Sequence, residues 1–435
     1  MTLRPAFFAL TLLAASAGAL TAHAQDCGGD VTLASQAHVD AFACTDLGGT
    51  LTIEDGATPL TSLAALRGLE RIGGALLIRN TEALTSLEGL DTLTRVARFV
   101  TLSGNRALTT LESLAALTTI GGSLTVQDND ALESLRGLDA LATVGVSLAL
   151  RDNDALTSLD GLGAIDAVGG GLFVENHDRL ASFDGFAAPN ATGSSVFIAG
   201  NGALTNLDGL QGLTTVGRTL VVSDNDALTS LAGLRDLVTV AFTLTIASND
   251  ALPNLDGLEQ LVSVVQNIDL RANPMLAQVD ALRGVVSVGN NLLVTANPVL
   301  EGCARGLGRI LTNGGVQGTT DIRANATGCN SVDEILARYT STEDAPVSPK
   351  ASLLEAYPNP AHGPVALAFT LSEPTAVTLD LVDALGRRLT TLATGRYSAG
   401  THEVTWSALG VSAGIYVMRL TTADGAFTRR FTVLR

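Results

Sequence analysis

Three Asp-Asn-Asp triplets carry the most obvious chemistry in the chain: Asp128-Asn129-Asp130, Asp152-Asn153-Asp154 and Asp224-Asn225-Asp226. Clustered side-chain oxygens suit calcium, which takes several hard oxygen ligands. Paired carboxylates also perform acid and base work on glycosidic bonds. Regularity argues against both roles. The triplets sit in near copies of one frame, so no two acids are singled out as a catalytic pair. The equivalent positions elsewhere hold Gly200, Gly202, Ala272 and Pro274. The short Gly-rich nonapeptide of calcium-binding β-rolls is missing as well. Turn formation and a soluble edge are the favoured role of the acids. Calcium at Asp128, Asp130, Asp152 and Asp154 is the alternative.

Other reactive groups are sparse. The histidines are His23, His38, His177, His362 and His402, scattered along the chain. No phosphate loop, dinucleotide fingerprint, zinc motif or nucleophile elbow accompanies them. The expectation is a protein that is not an enzyme and needs no cofactor.

The triplets are positioned by a repeat. With the first residue of each short apolar strand as offset zero, the series runs Val100, Leu124, Leu148, Leu172, Val196, Leu220, Leu244, Ile268 and Leu292, a spacing of 24 residues. Leu76 starts it in phase, Leu51 precedes it by 25, and Ile322 is expected to end an irregular last coil. In the unit from Leu148 the apolar positions are Leu148, Leu150, Leu156, Leu159, Leu162, Ile165 and Val168. The first pair alternates as a strand does, and the rest recur every third residue, as corners of a coil. Gly161, Gly209, Gly233 and Gly257 mark a tight bend before a Leu. One unit cannot bury that many apolar residues alone, but stacked units cover one another. At about 4.8 Å per strand, about eleven coils make a rod on the order of 50 Å long.

Asn recurs at offset five: Asn105, Asn129, Asn153, Asn201, Asn225, Asn249, Asn273 and Asn297. Asn80 and Asn176 come one residue early, and His177 takes the place of one Asn. A buried Asn at a recurring bend can bond the next coil, so the column is expected to be a structural ladder.

These columns resemble leucine-rich repeats, and more closely the receptor L domain. The matching pattern is V-x-x-x-L-x-L-x-x-N-x-x-L, as in Val144, Leu148, Leu150, Asn153 and Leu156. The resemblance spans roughly 27–340. It implies a right-handed solenoid with a parallel sheet along one side, and a role in binding or surface architecture.

Offsets one and three of each strand should face outward. At offset one, Phe173, Phe197 and Val221 fall in consecutive coils of a column otherwise rich in Thr. They form a candidate ligand-binding patch, since exposed apolar patches often mark binding sites. Equally open is that the pair packs under a local loop or is ordinary surface variation.

Rod ends expose core and need caps. Cys27 and Cys44 stand at one end, Cys303 and Cys329 at the other. The first 24 residues read as a secretory signal: Arg4, an apolar run, and Ala22-His23-Ala24 before the cut. Export permits disulfides, so two local bridges are expected, Cys27–Cys44 and Cys303–Cys329. No later segment has the apolar run of a membrane helix. The net charge of -17 lies almost wholly before residue 350, because the tail from Ser352 balances seven Arg against six acids. Nucleic acid is an unsuitable partner, lacking a basic face to meet it.

A polar, Pro-containing stretch from Tyr339 reads as a linker. Beyond it, short strand patterns such as Val365–Leu371 and Val377–Val382 suggest a seven-stranded Ig-like β-sandwich. The expected domains are a signal peptide (1–24), an N-terminal cap (25–50), the solenoid with its C-terminal cap (51–338), a linker (339–351) and the sandwich (352–435). The last resembles the type IX secretion C-terminal sorting domain of Bacteroidota-like bacteria. The matching residues are Tyr357-Pro358-Asn359-Pro360, Val382 to Arg387, Trp406, Gly414-Ile415-Tyr416 and the closing Arg429 to Arg435. The resemblance implies the type IX machinery as partner, and a product secreted or attached to the outer-membrane surface of a Gram-negative cell. The expected function is non-catalytic binding of an extracellular protein or glycan on the solenoid face. The alternatives are a structural surface or adhesion protein without a ligand, and a carbohydrate-active enzyme.

Overall fold

Alternation within each short strand decides which side chains enter the core. In Leu172–Glu175, Leu172 and Val174 are buried while Phe173 and Glu175 are half-buried. Repeating this in every coil lets parallel strands pair in register: Leu124, Leu148, Leu172 and Val196 are successive partners. The result, in a computed structural model, is a parallel β-solenoid followed by antiparallel sheets. The structure describes residues 27–312, 314–339, 351–353, 356–371, 374–383, 387–409, 411–422 and 425–434. The signal segment 1–24 lies outside them.

The long sheet has thirteen strands. Eleven come from the repeats, and each cap adds one, Val31–Leu33 and Thr320–Arg323. In the last coil Leu292 pairs with Thr320 and Val294 with Ile322. Ile322 is therefore at offset two, not zero, because the cap inserts a helix before the strand. A second, ten-stranded parallel sheet runs along another side. Its strands are two residues long, such as Thr143–Val144 and Ala167–Val168. The sequence pattern did not announce it.

The core is one continuous stack of Leu, Ile and Val that are almost all fully buried. Each fully buried Leu contributes roughly 2 kcal/mol relative to an exposed one. Gly161 adopts φ 109°, and a side chain there would collide with the Leu135 carbonyl of the preceding coil. Gly233 differs from that expectation. It lies in a 3-10 turn, Ala232–Leu234, and is small because the Leu207 carbonyl approaches it.

The triplets now divide by position. Offset four is left-handed in coil after coil: Asn80 φ 52°, Asp128 54°, Asp152 50°, Asn176 60°, Asp224 55° and Ala272 52°. Asp, Asn and Gly tolerate that region best, which accounts for the first Asp and for the two early Asn. Offset five is the ladder. Asn105 donates its backbone N–H and Nδ2 to Asn129 Oδ1, both at 3.1 Å. Its Nδ2 also reaches the Ile78 carbonyl at 3.0 Å. The column continues through Asn153, Asn201, Asn225, Asn249, Asn273 and Asn297, all buried. It starts at Thr81, whose Oγ1 donates to Asn105, and ends at Asn325, which accepts from Asn297. Offset six is exposed, so the last Asp points to water.

Both caps are closed by disulfides, Cys27–Cys44 with Cα atoms 5.7 Å apart and Cys303–Cys329 at 5.9 Å. Helices Gln36–Asp40, Ala304–Thr312 and Val332–Arg338 belong to the caps. Tyr339 belongs there too: its N–H donates to the Ile335 carbonyl at 3.0 Å and its ring lies against Gly308. Ala351 pairs with Leu371, and the remainder of the expected linker, 340–350, lies outside the described residues. The C-terminal part has a three-stranded and a four-stranded antiparallel sheet over a core of its own.

Candidate interaction face

Outward positions of the long sheet at offsets minus one, one and three form its surface. Around the coil of Phe173 this surface is built with some care. Offset minus one is Gly171, and a Cβ there would run into the Phe173 ring. The missing side chain lets the ring fold back along its own strand. Phe173 and Phe197 are register partners, their ring centroids are 5.5 Å apart, and their planes differ by 16°. Near-parallel rings this close overlap as offset plates, because side by side their edges would collide. Arg151, from the strand on the other side, places its guanidinium carbon 4.9 Å from the Phe173 centroid. The same guanidinium holds Glu175 through Nε to Oε2 at 2.6 Å. Arg151, Phe173 and Phe197 thus form one stack along the solenoid, with the Arg charge matched by Glu175.

Val221 is the next register partner of Phe197 and is half-buried. Ala149, expected outward at offset one, is buried, since it is small and lies in register beside Phe173. Hydroxyls brace the strand starts under the patch. Ser147 Oγ accepts from Gly171 N at 3.1 Å, and Ser195 Oγ accepts from Thr219 N at 3.4 Å. Farther along, Asp269 occupies offset one, paired with Arg271 at 2.9 Å. Burial raises its carboxyl above the usual range, and Arg271 opposes that shift.

His177 lies at the bend two residues beyond Glu175 and is fully buried in the ladder. Its Nδ1 accepts from Asn153 N at 3.2 Å, and its own N–H donates to Asn201 Oδ1 at 3.2 Å. Burial pushes its imidazole down to about 4.

The acids follow a different edge. Asp130, Asp154 and Asp178, with Ala155 and Arg179, line a groove of about 160 Å³. Burial raises the Asp154 carboxyl, and Asp178, Asp130 and Asp152 add to the shift while Arg179 opposes it. Among the described residues, no three His, Cys, Asp or Glu side chains gather as a metal cluster. Asp128 and Asp152 hold the left-handed bend.

In the C-terminal sheets the motif residues are spread out. Tyr357 is exposed and bridges to Ala366. Pro358 and Pro360 are exposed beside Asn359, whose Oδ1 accepts from Thr432 N at 2.9 Å. Gly414 opens the strand Gly414–Thr422, in which Tyr416 is buried and donates to the Ser412 carbonyl at 2.6 Å. Its ring packs near Trp406 and Phe431. Residues 384–386 and Arg435 of the expected motif lie outside the described residues.

Comparison with known families bears on this part. Residues 355–434 match the family described as the secretion system C-terminal sorting domain. The two antiparallel sheets are thereby a type IX sorting domain, and the chain is an exported protein, secreted or attached to the cell surface. Its partner in export is the type IX secretion machinery. No curated protein matches the chain. Among the described residues no helix is long and apolar enough to cross a membrane.

Several supporting residues escaped the sequence reading. Arg151 and Glu175 stand 24 residues apart at offset three, so their pairing was readable once the period was known. Gly171 was readable as a Gly between Ser147 and Ser195 of the neighbouring coils at the same offset. Asn325 was hidden because the cap stretches its spacing from Asn297 to 28.

Proposed function

We propose that the mature protein is a non-catalytic surface or secreted module that binds an extracellular protein through the outward face around Phe173, Phe197 and Val221. The observation that carries this reading is the stack of Arg151, Phe173 and Phe197, two aromatic rings in contact on a face whose other outward positions are mixed, with Thr101, Thr125 and Thr245 beside isolated apolar residues such as Leu77, Phe99 and Leu293. Its charge is matched within the chain, so the apolar ring edges are what it offers to a partner. Overlapped rings present little flat surface for stacking a sugar, which favours apolar protein side chains over a glycan. The likeness of the columns to the receptor L domain fits this reading.

A second reading has its own support. The stack satisfies itself along the rod, as a brace would, which suits a structural or adhesive surface protein with no discrete ligand. The test uses residues 25–345 as bait against extracellular proteins and glycan arrays, beside a Phe173→Ser/Phe197→Ser double variant. Retention of a protein by the natural form and its loss from the variant supports the binding face. Equal retention, or none by either, favours the structural reading. Retention of glycans alone replaces the protein ligand by a sugar.

A further inference from the structure

We propose that His177 is an acid-sensitive rung: proton uptake at its Nδ1 opens the junction between the coil of Leu148–Arg151 and the coil of Leu172–Glu175, and with it the Arg151–Phe173 contact. The ladder column from Thr81 to Asn325 otherwise consists of Thr and Asn, which do not titrate in the ordinary range. His177 replaces an Asn at the same offset and takes over its acceptor role toward the preceding coil. An amide oxygen accepts at any ordinary pH. An imidazole nitrogen accepts only while it carries no proton.

A proton on Nδ1 takes the acceptor away from a buried backbone N–H, although the Asn153 and Leu150 carbonyls partly oppose the effect of burial. Nδ1 faces the Asn153 N–H at 3.2 Å, so a proton on it would set one N–H against another. The Asn153 carbonyl, 3.3 Å from the same nitrogen, can accept that proton, but the buried Asn153 N–H then loses its only acceptor on the ring. Nε2 is buried and makes no well-formed hydrogen bond, although the Leu150 carbonyl faces the ring. The ring has no exposure to water. Among charged groups, Asp152 of the preceding coil favours the cation, and the following coil presents Gly200, Asn201 and Gly202. On its own coil, Glu175 is engaged by Arg151, and Asp178 and Arg179 line the outer groove.

The direction in pH follows from a folded value of about 4 against an ordinary 6.5. A depressed value means that the neutral rung holds fully above 6.5. Its contribution falls progressively below 6.5 and is lost as the pH drops through about 4. The consequence is local. The opening lies between the same two coils that Arg151 and Phe173 bridge, so acid would loosen that contact before the remainder of the rod. This inference does not depend on the patch having a ligand.

The test is amide hydrogen exchange on the full chain, corrected for the intrinsic pH dependence of exchange. Peptides covering Asn153 to His177 are compared with peptides covering Asn225 to Asn249 as an all-Asn control. Protection of the first segment is expected to fall roughly tenfold or more between pH 7 and pH 4 relative to the control. His177→Asn is expected to abolish the difference. Parallel behaviour of both segments in the natural chain overturns the proposal, as does an unchanged difference in the variant. If the variant does not fold, ring nitrogen shifts of the natural protein decide. A ring that stays neutral to near pH 4 agrees, and one that titrates near 6.5 overturns it.

Discussion

Asn129 donates both its backbone N–H and its side-chain Nδ2 to Asn153 Oδ1 at 3.1 Å, one coil away. This single relationship, repeated along the rod, explains why Asn persists at offset five while its neighbours vary. Parallel strands satisfy their own backbone, but the bend after each strand leaves polar groups inside. The amide has the acceptor and the two donors needed to serve them.

Asn153→Ala is therefore expected to be costly. It strips the acceptor from two buried groups of Asn129 and the Nδ2 donor from the Val126 carbonyl. A loss of at least about 3 kcal/mol is expected in denaturant unfolding. A loss under about 1 kcal/mol would mean that the ladder is incidental.

The left-handed column allows an improvement. Ala272 and Ala296 hold φ 52° and 57°, a region that Ala disfavours. Ala296→Gly is expected to stabilise the chain by about 1 kcal/mol, because a Cβ in that region costs roughly that much. An unchanged or lower unfolding midpoint would contradict this.

The caps should matter in proportion to the loops they close. Cys303 and Cys329 are 26 residues apart. Replacing both by Ser is expected to cost roughly 3 kcal/mol. Limited proteolysis should then cut first in the coils nearest that end. Cleavage first near Cys27 would refute the assignment of this bridge as an end clamp.

Calcium addition or chelation is expected to leave the melting temperature within about 1 °C. Tight binding to the native state would raise it by mass action. A rise of several degrees, lost on Asp152→Asn/Asp154→Asn, would reinstate the acids as ligands.

The period, the inward columns, the coil number and both cysteine pairs were legible because in-register stacking gives each column one environment. Leu148 and Leu172 meet the same demands, so they repeat. The second sheet was not legible, since strands such as Thr143–Val144 pair through backbone and demand little of their side chains. Gly233 looked like Gly161, although one needs space and the other also a left-handed bend. The column of Phe173, Phe197 and Val221 was legible as a column. The Arg151 guanidinium over the ring was not, because nothing in the period says how a long side chain will lean.

The face reading is tested most directly by placing a photo-crosslinking side chain at Phe197, and separately at Thr125 on the same face, in the protein displayed on cells. The account predicts protein adducts at the first position and none at the second. Equal adducts at both, or none at either, would contradict a binding face centred on Phe173 and Phe197.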